Sequence, residues 1–250
     1  MKTKRIRPSQ RKREAQHWDW TAEGLGLDPV RYQALLSYLF ERPVPEGQQQ
    51  EWYWADEHVP FEASALEWTR FQTAIFANAG QDLIAFGDEQ VGMGLSYLSN
   101  NSLSDVPYAA VDPSVPIEEA MRMVQAMPML WRDCFGQRLR DASPIDSPIG
   151  SGSGGRLWAA CYMWFDVWPT FRRASESQRW RDACWGVFVE MLAVPCRAVQ
   201  IAALHGIGHS VDRLDKDVEV ERAIREFVRD LTDDPTLRAY AEAARQGSVQ

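Results

Sequence analysis

Residues 176–193, ESQRWRDACWGVFVEMLA, place Trp180, Ala183, Cys184, Val187, Phe188 and Met191 at steps of three and four. Those positions share one face of an α-helix, which turns once every 3.6 residues. Pro195 then opens a run through Val199, Ile201, Ala202 and Leu204 that is apolar nearly all round, the pattern of a central helix. After a polar turn, Val220, Ile224, Phe227, Val228 and Leu231 mark an amphipathic partner helix. Asp234-Pro235 begins a last, more polar helix that caps the stack, with an N-cap acceptor ahead of a proline at the first helical position. Short turns between amphipathic helices imply antiparallel neighbours. The sequence therefore predicts an all-α fold of stacked antiparallel helical hairpins, with no strict repeat period.

The upstream half reads the same way. Asp28-Pro29 starts a helix carrying Tyr32, Leu35, Leu36 and Leu39, and Pro43 and Pro45 end it. Residues 43–60 read as an irregular loop. A helix from Glu62 to Asn78 follows, with Gly80 just beyond as its stop. Asp88 caps a shorter helix through Val91, Leu95 and Leu98, in which Gly92 and Gly94 permit close packing against a neighbour. Pro116 opens a helix with Met121, Val124 and Met127, and Pro128 is expected to interrupt it before Leu130, Trp131, Cys134, Phe135 and Leu139. Residues 156–167 form an aromatic helix stopped by Pro169. Alternating β-branched runs are scarce. The expected organisation is a basic disordered arm over residues 1–20, then a single α-helical domain over 21–250 with a flexible loop near 141–155.

Composition narrows the function classes. The formal net charge is −8, against the basic field of a dedicated nucleic-acid binder. The start of the chain is the exception: Lys2, Lys4, Arg5, Arg7, Arg11, Lys12 and Arg13 all precede the first acid, Glu14. Such an arm reads as a solvated tail, or as a contact for RNA, DNA or an acidic partner. No apolar run reaches the roughly 18 residues of a membrane span, and the N-terminus lacks a signal-peptide core, so a cytoplasmic location without membrane contact is expected. The 11 tryptophans are expected mainly in the core. Cys134, Cys161, Cys184 and Cys196 are not spaced as a zinc knuckle or redox pair and read as buried free thiols.

His205 and His209 carry the most distinctive chemistry. Four residues apart on a helix, they share a face and form a candidate chelate for a divalent metal. Gly206 stands where a metalloprotease motif needs Glu, and a third ligand would come from Cys196, Asp212 or Asp215. The structural alternative makes Gly206 and Gly208 a helix end, with the histidines interacting with its last carbonyls. Asp166 lies in a very apolar segment, Cys161 to Asp166, and if buried needs a partner such as Arg172, Arg173 or a backbone donor. Cys161 in that aromatic helix reads as inert packing rather than a nucleophile. Gly150 to Gly155 matches GxGxxG by count, but a Ser/Pro lead-in replaces the strand of a dinucleotide site, so it reads as a linker.

Cys161-Tyr162-Met163-Trp164-Phe165-Asp166 and Ala203-Leu204-His205-Gly206-Ile207-Gly208-His209 resemble the CYMWWD and ALHGLGH motifs of a loose group of uncharacterised bacterial proteins. Asp88-Glu89-Gln90-Val91-Gly92-Met93-Gly94-Leu95 is similar to an upstream motif of the same group. The likeness spans residues 80–230. It implies a bacterial source and a helical, HEAT-like C-terminal half, and no activity. Phe165 and Ile207 depart from the group's usual Trp and Leu, both conservatively.

Three function classes follow. The first is a non-enzymatic protein-interaction module, an immunity-type or accessory protein whose acidic surface suits a basic partner. The second is a metal-dependent enzyme using His205 and His209. The third is a nucleic-acid-associated factor working through the basic arm.

Overall fold

Asp28 accepts a hydrogen bond from the Arg31 amide at 2.8 Å, and Pro29 follows it, so helix α1 spans Pro29–Phe40. The computed structural model describes residues 18–47, 49–141, 155–231 and 233–249. The basic stretch 1–17 and most of the predicted loop, 142–154, lie outside the described residues. Residues 18–20, assigned to the arm, lie against the body instead. Asn78 Nδ2 donates to the Trp20 carbonyl at 2.8 Å, and the Arg122 guanidinium sits 4.4 Å from the Trp18 ring centroid.

The described part of the loop after α1 carries a single 3-10 turn at Trp52–Trp54. Ser64 caps α2, Ala65–Asp82, by accepting from the Glu67 amide. Gly80, expected as a stop, lies inside this helix, because burial of Ile75, Phe76, Ala79 and Leu83 carries the apolar face past it. Helix α3 spans Asp88–Ser99. Its cap residue is Gly87, whose amide donates to the Gln90 side chain at 3.0 Å, and Asp88 in the first turn pairs with Arg138 at 2.6 Å. Gly92 and Gly94 do allow close packing: a Cβ on Gly92 would lie 2.4 Å from the Leu157 nitrogen, and one on Gly94 2.3 Å from the Phe40 ring.

A 3-10 segment, Val106–Val111, leads to α4, Ile117–Leu130. Pro128 does not break α4 as expected. It lacks the amide that would reach back to residue 124, yet the helix runs on and widens a turn later into a π-helical turn, Trp131–Phe135, before the short α5, Gly136–Arg138. Burial of Met127, Leu130, Trp131 and Phe135 holds this irregular stretch in place.

Helix α6 spans Gly155–Val167, and Pro169 opens a 3-10 segment to Ser175. Then come α7, Gln178–Leu192, α8, Arg197–Leu214, α9, Asp217–Asp230, and α10, Pro235–Arg245. Among the described residues there is no strand, so the fold is all-α. Helix α2 packs on α4, α3 on α6, and α4 on α7, while α8 is contacted by α6, α7, α9 and α10. The near-continuous apolar character of α8 is thus used on several sides at once. Its residues from Ile201 to Gly208 are all buried. One contiguous core joins Ala22 to Val249, with Trp131, Trp164 and Trp168 fully buried inside it and Trp54 left exposed. Among the described residues, no helix is long and apolar enough to cross a membrane.

Candidate metal centre

The segment read as a helix end is the middle of a helix. Helix α8 continues for five residues past His209 and stops at Asp215, which takes the left-handed conformation with φ of 51°. Gly206 and Gly208 make no turn. A Cβ on Gly206 would stand 2.5 Å from Phe188 Cε1 and 2.6 Å from Phe165 Cδ2, and one on Gly208 would stand 2.4 Å from Val249 Cγ2. Each glycine lets a neighbouring element approach the α8 backbone, and that approach brings α6 and α10 up to the two histidines.

His205 is buried and His209 is 43 % exposed at its side chain. Their rings are 4.4 Å apart, on one face as the four-residue spacing requires. Asp166, in the last turn of α6, reaches both. Its Oδ2 lies 2.8 Å from His205 Nε2, and its Oδ1 lies 3.8 Å from His209 Nε2. One ligand atom from each residue can be chosen so that all three lie within 4.8 Å of one another. The expected partners Arg172 and Arg173 are not used. Arg173 instead binds Glu176 and the Val111 carbonyl. Of the third ligands expected for the histidines, Cys196, Asp212 and Asp215 all lie outside this group, and Asp166 takes the place.

Two tyrosines complete the site. Tyr240 Oη of α10 lies 2.9 Å from His205 Nδ1, and Tyr162 Oη lies 3.2 Å from Tyr240 Oη. The Tyr162 ring, one helical turn before Asp166, covers the His205 ring at a centroid distance of 4.1 Å. Burial pushes both tyrosine hydroxyls above their ordinary range, so both stay protonated near neutrality. The contacts around His205 close in two proton arrangements. In one, Nε2–H donates to Asp166 and Nδ1 accepts from Tyr240. In the other, Nδ1–H donates to Tyr240, which donates to Tyr162, and the Nε2 lone pair faces the carboxylate, an arrangement that needs a cation beside the pair to offset the repulsion. The sequence carries a signal for Tyr240: Leu237, Tyr240, Ala241 and Ala244 follow helical spacing along α10, and the three besides Tyr240 are buried.

Cys161 is fully buried and burial lifts its thiol well above the ordinary value, which removes the nucleophilic thiolate. Residues 150–154 of the glycine-rich stretch lie outside the described residues, and Gly155 begins α6. In comparisons with known proteins, no family model, curated protein or solved structure matches this chain.

Proposed function

We propose that Asp166, His205 and His209 bind one divalent transition-metal ion of the zinc type, and that the ion does chemistry on its solvent-facing side. The observation that carries this reading is the convergence of two imidazoles and a carboxylate from two helices, with the inner imidazole already held by a second residue. Ligand bonds of about 2.0–2.2 Å in tetrahedral geometry put neighbouring ligand atoms roughly 3.3 Å apart. The distances of 2.8 and 3.8 Å bracket that value. Binding would open the Asp166–His205 pair and draw His209 inward, the ligand atoms now lying within 4.8 Å of one another.

Three features favour a working ion over a structural one. Structural zinc sites are closed by four protein ligands, whereas three leave a position for water or substrate. The exposure of His209 puts that position toward solvent. The aromatic core beneath is packed without help from an ion. An ion here polarises a bound oxygen or lowers the pKa of a bound water. Tyr240 fixes the tautomer and orientation of His205, as a hydrogen-bond partner behind a metal-bound imidazole does.

The test is metal analysis of the purified chain and zinc titration of the chelator-treated protein. One equivalent of metal is expected, with much weaker affinity in His209→Ala and Asp166→Asn, both at partly exposed positions that leave the core intact. No stoichiometric binding by the unsubstituted chain refutes the proposal and leaves the cluster a hydrogen-bonded polar contact. The interaction-module reading, with a basic partner, rests on the net charge of −8. The nucleic-acid reading rests on residues 1–13. Neither has a residue constellation behind it comparable to the Asp166 cluster.

A further inference from the structure

On a different part of the molecule, a cavity of about 490 Å³ opens between the loop before α2, the end of α3 and the 3-10 segment Val106–Val111. That volume is in the range of small-molecule sites. Its lining is chemically one-sided. Phe61, Trp68, Tyr97 and Tyr108 supply aromatic surface, and among the described residues Asp105 and Asp112 supply its acidic groups. Among the described residues, no lysine or arginine lines it. Trp68 and Tyr97 are buried and form its inner end, while Asp105, Tyr108 and Asp112 are exposed at its mouth. The two acids stand at either end of the 3-10 segment, as its cap residues. Ser114 donates to Asp112 from its amide and its hydroxyl, which holds that carboxylate below the ordinary range and keeps it charged. His58, which also lines the cavity, is held toward its neutral form by burial and by Arg42.

We propose that this cavity binds a small organic ammonium ion, with its alkyl groups against the aromatic rings and its positive charge in the acidic field of the mouth. Aromatic faces attract cations through their quadrupole, and an alkylammonium needs apolar walls as well as charge. An anion would meet two carboxylates, and a neutral apolar ligand would leave the acidic mouth without a role. The adjoining ring cluster already takes a cation: the Arg42 guanidinium lies 4.8 Å from the Tyr38 ring and 4.6 Å from the Trp52 ring. Tyr38 in turn hydrogen-bonds His58 and Tyr97, which tightens the inner wall. None of these residues belongs to the Asp166 cluster, so this site stands independently of the metal.

Choline chloride and its neutral carbon isostere, 3,3-dimethyl-1-butanol, separate charge recognition from simple apolar filling. Each is titrated into the full chain by calorimetry at matched ionic strength, with chelator present to silence any metal. Choline should bind saturably at millimolar concentrations and at least tenfold more tightly than the alcohol. Asp105→Asn combined with Asp112→Asn should raise the choline Kd about tenfold, and Tyr108→Ala should also weaken it. All three positions are exposed, and unchanged thermal unfolding checks that the variants fold. The isostere comparison needs no variant at all. Equal affinity for the two compounds, no binding of either, or choline binding indifferent to both sets of substitutions overturns the proposal.

Discussion

Replacing Gly206 by alanine isolates the packing that builds the candidate centre. An added Cβ falls 2.5 Å from Phe188 Cε1 and 2.6 Å from Phe165 Cδ2. Ordinary carbon–carbon contacts are about 3.5–4.0 Å, so the overlap is about 1 Å on each of two rings. Phe188 is fully buried and Phe165 is 6 % exposed, so neither ring has solvent to move into. Overpacking of a dense core costs about 1–3 kcal/mol, and a double overlap belongs at the upper end. Helix propensity returns about 1 kcal/mol for Gly→Ala. The net effect is a loss of about 2 kcal/mol, a fall of roughly 4–8 °C in Tm for a chain of this size. Gly186 supplies the control. It lies in α7 with nothing within 4 Å of its Cβ position, so Gly186→Ala keeps only the propensity gain. That variant should gain about 0.5–1 kcal/mol, or about 1–4 °C. Thermal and urea unfolding followed by circular dichroism reads both. A Gly206→Ala protein as stable as its parent, or two glycines shifting in the same direction, would refute the claim that close approach fixes Gly206.

Other consequences are independent of that one. Tyr240→Phe removes the hydroxyl behind His205 and should weaken zinc binding about tenfold to a hundredfold; an unchanged Kd, at whatever Tm, would show that Tyr240 does not position the ligand. Burial pushes the Cys134 and Cys184 thiols up to about 12 and raises those of Cys161 and Cys196, so the native chain should react with a thiol reagent far more slowly than the urea-unfolded chain, which exposes all four; fast native labelling contradicts the packing. His58 is shifted down from 6.5 by burial and by Arg42, so between its folded pKa and 6.5 the unfolded chain binds more protons than the folded one. The contribution of His58 is therefore present above pH 6.5 and lost as pH falls through that window. A ring resonance titrating below 6.5 in NMR, and a shallower acid loss of stability in His58→Gln, are the expected readings; titration at or above 6.5 contradicts them.

The helices were legible because burial repeats with the helical period. Of the six positions read from spacing in α7, Trp180, Cys184, Val187, Phe188 and Met191 are buried and Ala183 is half-buried against the core. Caps were legible where a polar side chain meets an amide, as at Asp28 and Asp234. Glycine and proline were misread in three places for one reason: their local preferences favour ends and breaks, while tertiary packing decides. Gly80 and Gly206 lie inside helices, the latter because two phenylalanines need its space, and Pro128 is held within α4 by buried neighbours. The candidate site was half legible. The spacing of His205 and His209 put them on one face, and the apolar setting of Asp166 marked it as needing a partner. That the three meet could not be read locally, because Asp166 and His205 are 39 residues apart and join only when α6 packs on α8.

X-ray absorption of the zinc-loaded chain tests the central claim most directly. Two imidazoles and one carboxylate predict a first shell of nitrogen and oxygen at about 2.0–2.2 Å, with outer-shell imidazole scattering that falls by half in His209→Ala. A sulfur contribution near 2.3 Å, which would place the ion on cysteine, or a spectrum that His209→Ala leaves unchanged, contradicts the assignment of the metal to Asp166, His205 and His209.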